Sequence, residues 1–314
     1  QLLDDGFHLV PIIDPGVKVK EGYSVYEEGE KNNYFCKVYD YENKQQKDET
    51  FVAAVWPGRT CMPDFLNAKT QQWWADLYKE FCEMGVNSFW NDMNEPALFF
   101  TKRGLDDFFK CSDEVRAREN PGLDLFELKD KANNLKNNRE DYKRFCHNID
   151  GKIYCHDDVH NIFGFGMVKA SAEGLKKHSR GDRYFLLSRS SYIGQHRYSA
   201  VWTGDNHSWW EHILLHIRMI QSMNMCGFFF VGPDIPGFGY DASAELLVRW
   251  LQVGIFTPFL RNHAALFTRN QEPWAFDDEI TDIARNIIKF RYAMLNYIYS
   301  EYYNSMNELK PLIT

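Results

Sequence analysis

The chain has 314 residues, 44% of them hydrophobic, enough for one large domain with a substantial core. Its net charge of −8 excludes a broad basic surface for nucleic acid. No apolar run reaches the roughly 18 residues that span a bilayer, so no membrane partner is expected. Aromatic residues make up 16%, with nine Trp and seventeen Tyr. Aromatic faces pack on the apolar C–H faces of sugar rings, as they do in an ordinary core. The start, Gln1 to Gly6, has neither a signal-peptide pattern nor an initiating Met, and reads as the inside of a longer chain. The seven Cys are odd in number and lack Cys-x-x-Cys spacing. That argues against a disulfide framework and for a reducing compartment, the cytoplasm.

In chain order, the apolar run 7–13 reads as a buried strand closed by the turn residues Asp14, Pro15 and Gly16. Over 70–84, Trp73, Trp74, Leu77, Tyr78, Phe81 and Cys82 recur at three and four, which predicts a helix stopped by Gly85. Residues 86–90 form the next strand. The charged stretch of about 101–150, rich in Asp, Lys and Asn, interrupts the pattern as an insertion with some helix. Further strands are expected at 183–188, 200–203, 226–231 and 254–257. Helices are expected at 160–177, 209–223, 241–252 and 280–302. The 209–223 helix carries Trp210, Ile213, Leu214, Ile217 and Ile220 on one stripe. This alternation predicts an α/β fold, a parallel sheet with helices outside it. A (β/α)8 TIM barrel fits, with six of its eight strands present and the first part upstream. The domain reading is therefore 1–314 as a partial catalytic barrel. An open doubly wound sheet is the alternative, but no Gly-x-Gly-x-x-Gly joins a strand to a helix.

Four expected strand ends carry an acid: Asp14, Asp92, Asp205 and Asp234. The C-terminal ends of barrel strands form the catalytic face. One such Asp alone reads as a helix cap or turn closer. Four of them, flanked by Trp56, Trp90, Trp202 and Trp209, suit glycoside hydrolysis, where one carboxylate attacks and another protonates the leaving oxygen. Other motifs carry less. His212 and His216 are four apart but lack the Glu of a His-Glu-x-x-His site. Cys155, His156, Asp157, Asp158 and His160 match no familiar zinc spacing and read as a polar loop near the rim. Neither a metal nor a cofactor is expected. Asn206-His207-Ser208 is formally a glycosylation acceptor, discounted because a glycan would obstruct the cleft beside Asp205. Ser188, Ser190 and Ser191 form no nucleophile elbow.

The segment Trp90-Asn91-Asp92-Met93-Asn94-Glu95-Pro96 closely resembles the nucleophile signature of glycoside hydrolase family 31. Ser188 to Tyr192 and Trp202 to Asn206 resemble its acid/base region. Gly232 to Phe238 and Arg261-Asn262-His263 resemble its sugar-binding loops. Order and spacing agree across nearly the whole chain, and the likeness is greatest to bacterial α-glucosidases. The resemblance implies Asp92 as nucleophile and Asp205 as general acid and later base. It implies Arg189, Asp234 and His263 as contacts to sugar hydroxyls, and Trp56, Trp90, Trp202 and Phe238 as pocket walls. Met93 would lie beside the nucleophile, and Asp14 would be a supporting or sugar contact. Glu95 would brace the loop, and Glu211 would be a first-turn charge on the next helix.

Arg189 would keep Asp92 ionised, and the charge of Asp92 would keep Asp205 protonated until needed. Carboxyl groups about 5–5.5 Å apart would fit a retaining enzyme. The implied activity is release of α-linked glucose from the non-reducing ends of oligosaccharides by double displacement. Transglycosylation, α-glucan lyase chemistry and a non-catalytic carbohydrate-binding fragment are the alternatives.

Overall fold

The computed structural model describes residues 2–313; Gln1, the first residue of the segment read for a leader, lies outside them. The chain divides into two compact units, Gln1–Leu186 and Leu187–Thr314, and each is described by itself.

In the first unit the strand Ile12–Ile13 runs parallel to Ser88–Asn91, with Ile12 opposite Trp90 and Ile13 opposite Asn91. Phe89 is fully buried, with Tyr78 and Phe81 edge-on to its ring. Those two aromatics come from the run expected as one helix over 70–84. It is two helices, Ala68–Leu77 and Lys79–Glu83, with Tyr78 between them. The Asn67 side chain caps the first by accepting the Lys69 N–H. Gly85, at φ +85°, supplies the left-handed residue that ends the second. The long helix His156–His178 packs against Ala68–Leu77. Gly174 permits that approach, since a Cβ there would meet the Ala75 carbonyl oxygen.

Three expectations need correction here. The 7–13 run is a strand only at Ile12–Ile13; Phe7 and Val10 are exposed, because a turn returns the Phe7 N–H to the Leu2 carbonyl. The segment around Cys155 to His160 is no loop, since its histidines open the helix His156–His178. The first unit also holds antiparallel structure that the sequence reading does not contain. One sheet has the order Lys152–Cys155, Phe145–Ile149, Lys37–Asp40, Gln45–Thr50, and the other Val17–Lys18, Gly58–Cys61, Val52–Val55, Phe100–Thr101. The Gln45–Thr50 strand is polar along its length and exposed on both faces but for its last residue, so it shows no alternation to read. The 101–150 segment contains the helices Lys102–Arg116, Leu125–Asn133 and Arg139–Tyr142 before it enters the first of these sheets.

In the second unit three strands are parallel in sequence order. Leu187 and Ser188 pair with Ala200 and Val201; Val201 and Trp202 pair with Val231 and Gly232. A further parallel pair sets Asp234 opposite Arg261 and Ile235 opposite Asn262. The expected strand at 226–231 shrinks to Val231–Gly232, because Cys226 and Gly227 close the helix Trp210–Met225. The expected strand at 254–257 is instead the turn after the helix Ala244–Gly254. The carbonyls of Ile255, Thr257 and Pro258 accept from the Arg291 guanidinium, which removes them from strand pairing. The strand falls at Arg261–Asn262. Ile235, Leu247, Trp250, Leu251 and Ala284 form the core beneath it.

The buried stripe of the helix Trp210–Met225 also differs from the expected one. His216, Ile220 and Asn224 are buried, whereas Trp210 and Leu214 are exposed. The polar members are satisfied: His216 Nδ1 lies 2.7 Å from the His212 carbonyl, and Asn224 accepts the N–H groups of Leu312 and Ile313. The last helix is longer than expected, Asp278–Glu308, and Asp277 caps it by accepting the Ile280 N–H.

Candidate active site

Two strand ends of the first unit carry acids at the same level. Because Ile13 pairs with Asn91, Asp14 and Asp92 are the next residues out of the sheet, and the Asp92 N–H donates to the Ile13 carbonyl at 3.3 Å. Asp92 opens a tight turn. Its Oδ1 accepts the Met93 N–H at 2.8 Å, Met93 sits at φ +56°, and the Ala97 N–H returns to the Met93 carbonyl. Asn91, Met93 and Asn94 are buried around it. Asp14, Trp90 and Glu95 are partly buried.

The 101–150 segment is fastened to the same turn. The Asn137 side chain accepts the Leu98 N–H at 2.7 Å while the Asn137 N–H donates to the Leu98 carbonyl at 2.9 Å. The Tyr142 hydroxyl donates to the Pro96 carbonyl at 3.2 Å. Trp56 stands on the two-residue turn between Val52–Val55 and Gly58–Cys61; it is 73% exposed and lies edge-on to Phe99 at 4.9 Å.

In the second unit Arg189 and Asp205 follow successive strands, and Arg189 Nη1 lies 3.6 Å from Asp205 Oδ1. Half of the Asp205 side chain is open to solvent. Asp234 is fully buried, and Arg261 donates to its Oδ1 through Nε at 3.0 Å and Nη2 at 2.5 Å. The same guanidinium lies over Trp202, 5.1 Å from the ring, and Trp202 is only 2% exposed. Trp202 is thus a floor beneath Arg261. Asn206 ties two loops together: its amide donates to the Asp234 carbonyl at 2.9 Å and accepts the Asp234 N–H at 3.1 Å.

Phe238 and His263 lie with ring centroids 5.2 Å apart. Burial, reinforced by the Arg261 charge, lowers the His263 pKa to about 4, so the ring is neutral at neutral pH. Glu211 is exposed in the first turn of Trp210–Met225, as expected from the helix dipole. The sequence reading quoted Arg261 within a motif but gave it no role; its place directly before Asn262 and His263 was the available signal. Asn206 is likewise quoted within the Trp202–Asn206 motif without a role, whereas Tyr142, a Tyr in a charged stretch, carries no signal.

In each unit an acid leaves the end of a parallel strand, Asp92 after Ser88–Asn91 in the first and Asp205 after Ala200–Trp202 in the second. The chain belongs to glycosyl hydrolase family 31: residues 1–301 match the family's TIM-barrel domain. It is similar to alpha-glucosidase 2 of Bacillus thermoamyloliquefaciens, 36% identical over 299 residues, 95% of this chain and 32% of that protein. Neutral alpha-glucosidase C of Mus musculus is 35% identical over 309 residues, 97% of this chain and 29% of that protein. The solved structure of a glucosidase II alpha subunit bound to Glc1Man2 matches with TM-score 0.76 and 29% identity, covering 99% of this chain and 29% of that one. The chain thus spans about a third of the length of these relatives. Among the described residues, no helix is long and apolar enough to cross a membrane.

Proposed function

We propose that the protein carrying this segment is a retaining α-glucosidase that releases glucose from the non-reducing ends of α-linked oligosaccharides. The observation that carries the reading is the Asp92 turn: an acid at the C-terminal end of a buried strand, held by a backbone N–H, inside a barrel segment of family 31. Asp92 Oδ attacks the anomeric carbon as the glycosidic oxygen takes a proton from Asp205. The sugar is then held as an ester of Asp92. Asp205, now a carboxylate, removes a proton from water, and the resulting hydroxide equivalent opens the ester to release glucose and restore both acids.

Asp205 can exchange its proton with solvent because half of its side chain is exposed. Arg189 Nη1 stands 3.6 Å from its Oδ1. Arg189, Asp234, His263, Trp56, Trp90, Met93, Trp202, Phe238 and Asp14 form or support the sugar subsite in this reading. The Asp234–Arg261 pair fixes one wall, and neutral His263 can accept or donate a hydrogen bond to a hydroxyl. The named α-glucosidases among the relatives support α-glucosides as the substrate class. A cytoplasmic site of action is proposed with it.

The test is hydrolysis of p-nitrophenyl α-glucoside by the full protein, with the configuration of the first-formed glucose read by NMR. Release of α-glucose, abolished by Asp92→Ala, is the expected result. First-formed β-glucose would refute the retaining mechanism. Glucosyl transfer to added maltose, or an unsaturated product in place of glucose, would identify the transglycosylase or lyase variant.

A further inference from the structure

The first unit buries a row of titratable side chains that the chemistry above does not use. Asp64 follows the strand Gly58–Cys61, His147 lies on Phe145–Ile149, and His156 and His160 are one turn apart at the start of His156–His178. Asp64 Oδ1 is 2.7 Å from His147 Nδ1, His147 Nε2 is 2.9 Å from His156 Nδ1, and His156 Nε2 is 2.9 Å from His160 Nδ1. Asp64, His147 and His156 are buried, and His160 is partly so. The row runs across three separate stretches of chain without a break.

The proton positions along this row follow from its first member. Asp64 also accepts the Asn148 N–H on Oδ2 at 2.8 Å and the Leu66 N–H on Oδ1 at 3.3 Å. A carboxylate only accepts, so His147 donates to it through Nδ1. Three N–H donors then serve the Asp64 charge, and no buried imidazolium is required. Burial holds His156 well below the usual imidazole range and lowers His160 as well, so both are neutral at neutral pH. A neutral imidazole has one donor and one acceptor. With His147 accepting on Nε2, His156 must donate from Nδ1 and accept on Nε2, and His160 must donate from Nδ1.

The row ends beneath the Asp92 turn. The Tyr142 ring lies against His160 at 4.6 Å and His156 at 5.3 Å, while its hydroxyl donates to the Pro96 carbonyl. The charge of Glu95, in the same turn, acts on both His160 and Tyr142. A metal centre would be the rival use of the site, because Cys36, Asp64 and His147 bring three ligand-type atoms together, with Cys36 Sγ 3.6 Å from His147 Nδ1. Two ligands at about 2.0 Å from a tetrahedral zinc stay about 3.3 Å apart. The 2.7 Å between Asp64 and His147 is instead a hydrogen bond.

We propose that Asp64, His147, His156 and His160 form a directional hydrogen-bond chain, each imidazole protonated on Nδ1, that positions the turn of Asp92 through Tyr142. These are positioning residues, and their effect on turnover rests on the α-glucosidase reading. Asp64→Asn should reverse the chain. The amide oxygen keeps the shorter bond from the Asn148 N–H at the expense of the longer one from Leu66, which turns the NH2 group toward His147 Nδ1. His147 then donates from Nε2, and each ring along the row moves its proton from Nδ1 to Nε2. The terminal nitrogen of His160 changes from acceptor to donor within the field of Glu95, and the turn shifts.

The experiment uses the full protein labelled with ¹⁵N-histidine, with side-chain NMR at neutral pH and kinetics on p-nitrophenyl α-glucoside from the same samples. The wild type should show His147, His156 and His160 as neutral Nδ1–H forms. Asp64→Asn should convert all three to Nε2–H and lower kcat about tenfold, with KM within about twofold. His160→Asn, whose amide can donate near the Nδ1 position, should keep kcat within about threefold, and His160→Phe should lose as much as Asp64→Asn. An imidazolium or an Nε2–H ring in the wild-type row would overturn the proposal. So would tautomers unmoved by Asp64→Asn, a reversed chain with unchanged kcat, or one tightly bound zinc per chain. A wild type without glucosidase activity refutes the functional reading alone, and the tautomer reversal still decides whether the chain exists.

Discussion

Asp92 leaves its strand into a turn whose neighbours are buried, whereas Asp205 leaves its strand with half of its side chain in solvent and one arginine 3.6 Å away. The first turn is held by backbone: Ile13, Met93, Leu98 and Pro96 all engage through main-chain N–H or C=O groups, with Asn137 and Tyr142 fastened to them. The second loop adds side-chain ties to its backbone bonds: the Asn206 carbonyl accepts from the Phe238 and Gly239 N–H groups, the Asn206 amide bonds the Asp234 main chain, and Arg261 donates to the Asp234 carboxylate. A nucleophile must keep one trajectory through the reaction, and backbone bonds in a buried turn give that. An acid/base must exchange protons with water between its two steps, and exposure gives that. The contrast fits the proposed division of labour between the two acids.

The largest expected effects separate the two acids. Asp92→Ala should abolish hydrolysis of every α-glucoside. Asp205→Ala should cost about 10²–10⁴-fold on maltose and far less on p-nitrophenyl α-glucoside, whose leaving group needs no proton. Equal losses on both substrates would break the comparison. A stability effect follows from the buried ion pair beside the second loop. Arg261→Ala removes a guanidinium that donates twice to the fully buried Asp234 and should destabilise the protein by about 3–5 kcal/mol in urea unfolding. An unchanged unfolding midpoint would remove Arg261 as the prop of that loop.

Packing gives a smaller effect in the first unit. Gly174→Ala forces a methyl against the Ala75 carbonyl and should cost about 1–3 kcal/mol by the same measurement. A pH dependence sharpens the second loop. The folded pKa of His263, about 4, lies below its unfolded value, so the unfolded state binds the extra proton first. Its contribution is complete above about pH 6.5 and is lost as pH falls toward 4. His263→Gln should flatten the unfolding midpoint against pH across that window, and an unchanged slope would count against it. The smallest stability effect is expected at Trp56→Ala, within about 0.5 kcal/mol because the ring is largely exposed. A raised KM from this variant would support its place as a sugar platform.

Legibility in the sequence tracked local order. The helix at 70–84 and the strand after it were visible because Trp73, Trp74, Leu77 and Phe81 repeat at helical spacing and Gly85 closes the run. The acids were visible because each follows an apolar run and precedes turn chemistry. The antiparallel sheets were not visible, because Gln45–Thr50 is polar throughout and pairs with Lys37–Asp40, which in turn pairs with residues more than a hundred positions away. The 254–257 run looked like a strand because its side chains are apolar. Arg291, remote in sequence, takes its carbonyls.

The sequence by itself determined the family, through ordered motifs around Asp92, Asp205, Asp234 and His263. Those motifs are short and local, and turn chemistry and strand ends are written in adjacent residues. Only the tertiary structure decided which side chains support them. Arg261 on Asp234, Asn206 between loops, Tyr142 under Pro96, and the row from Asp64 to His160 join residues from distant stretches of chain. Hydrogen bonds of that kind form only after burial brings separated groups together, and no spacing within the sequence encodes them.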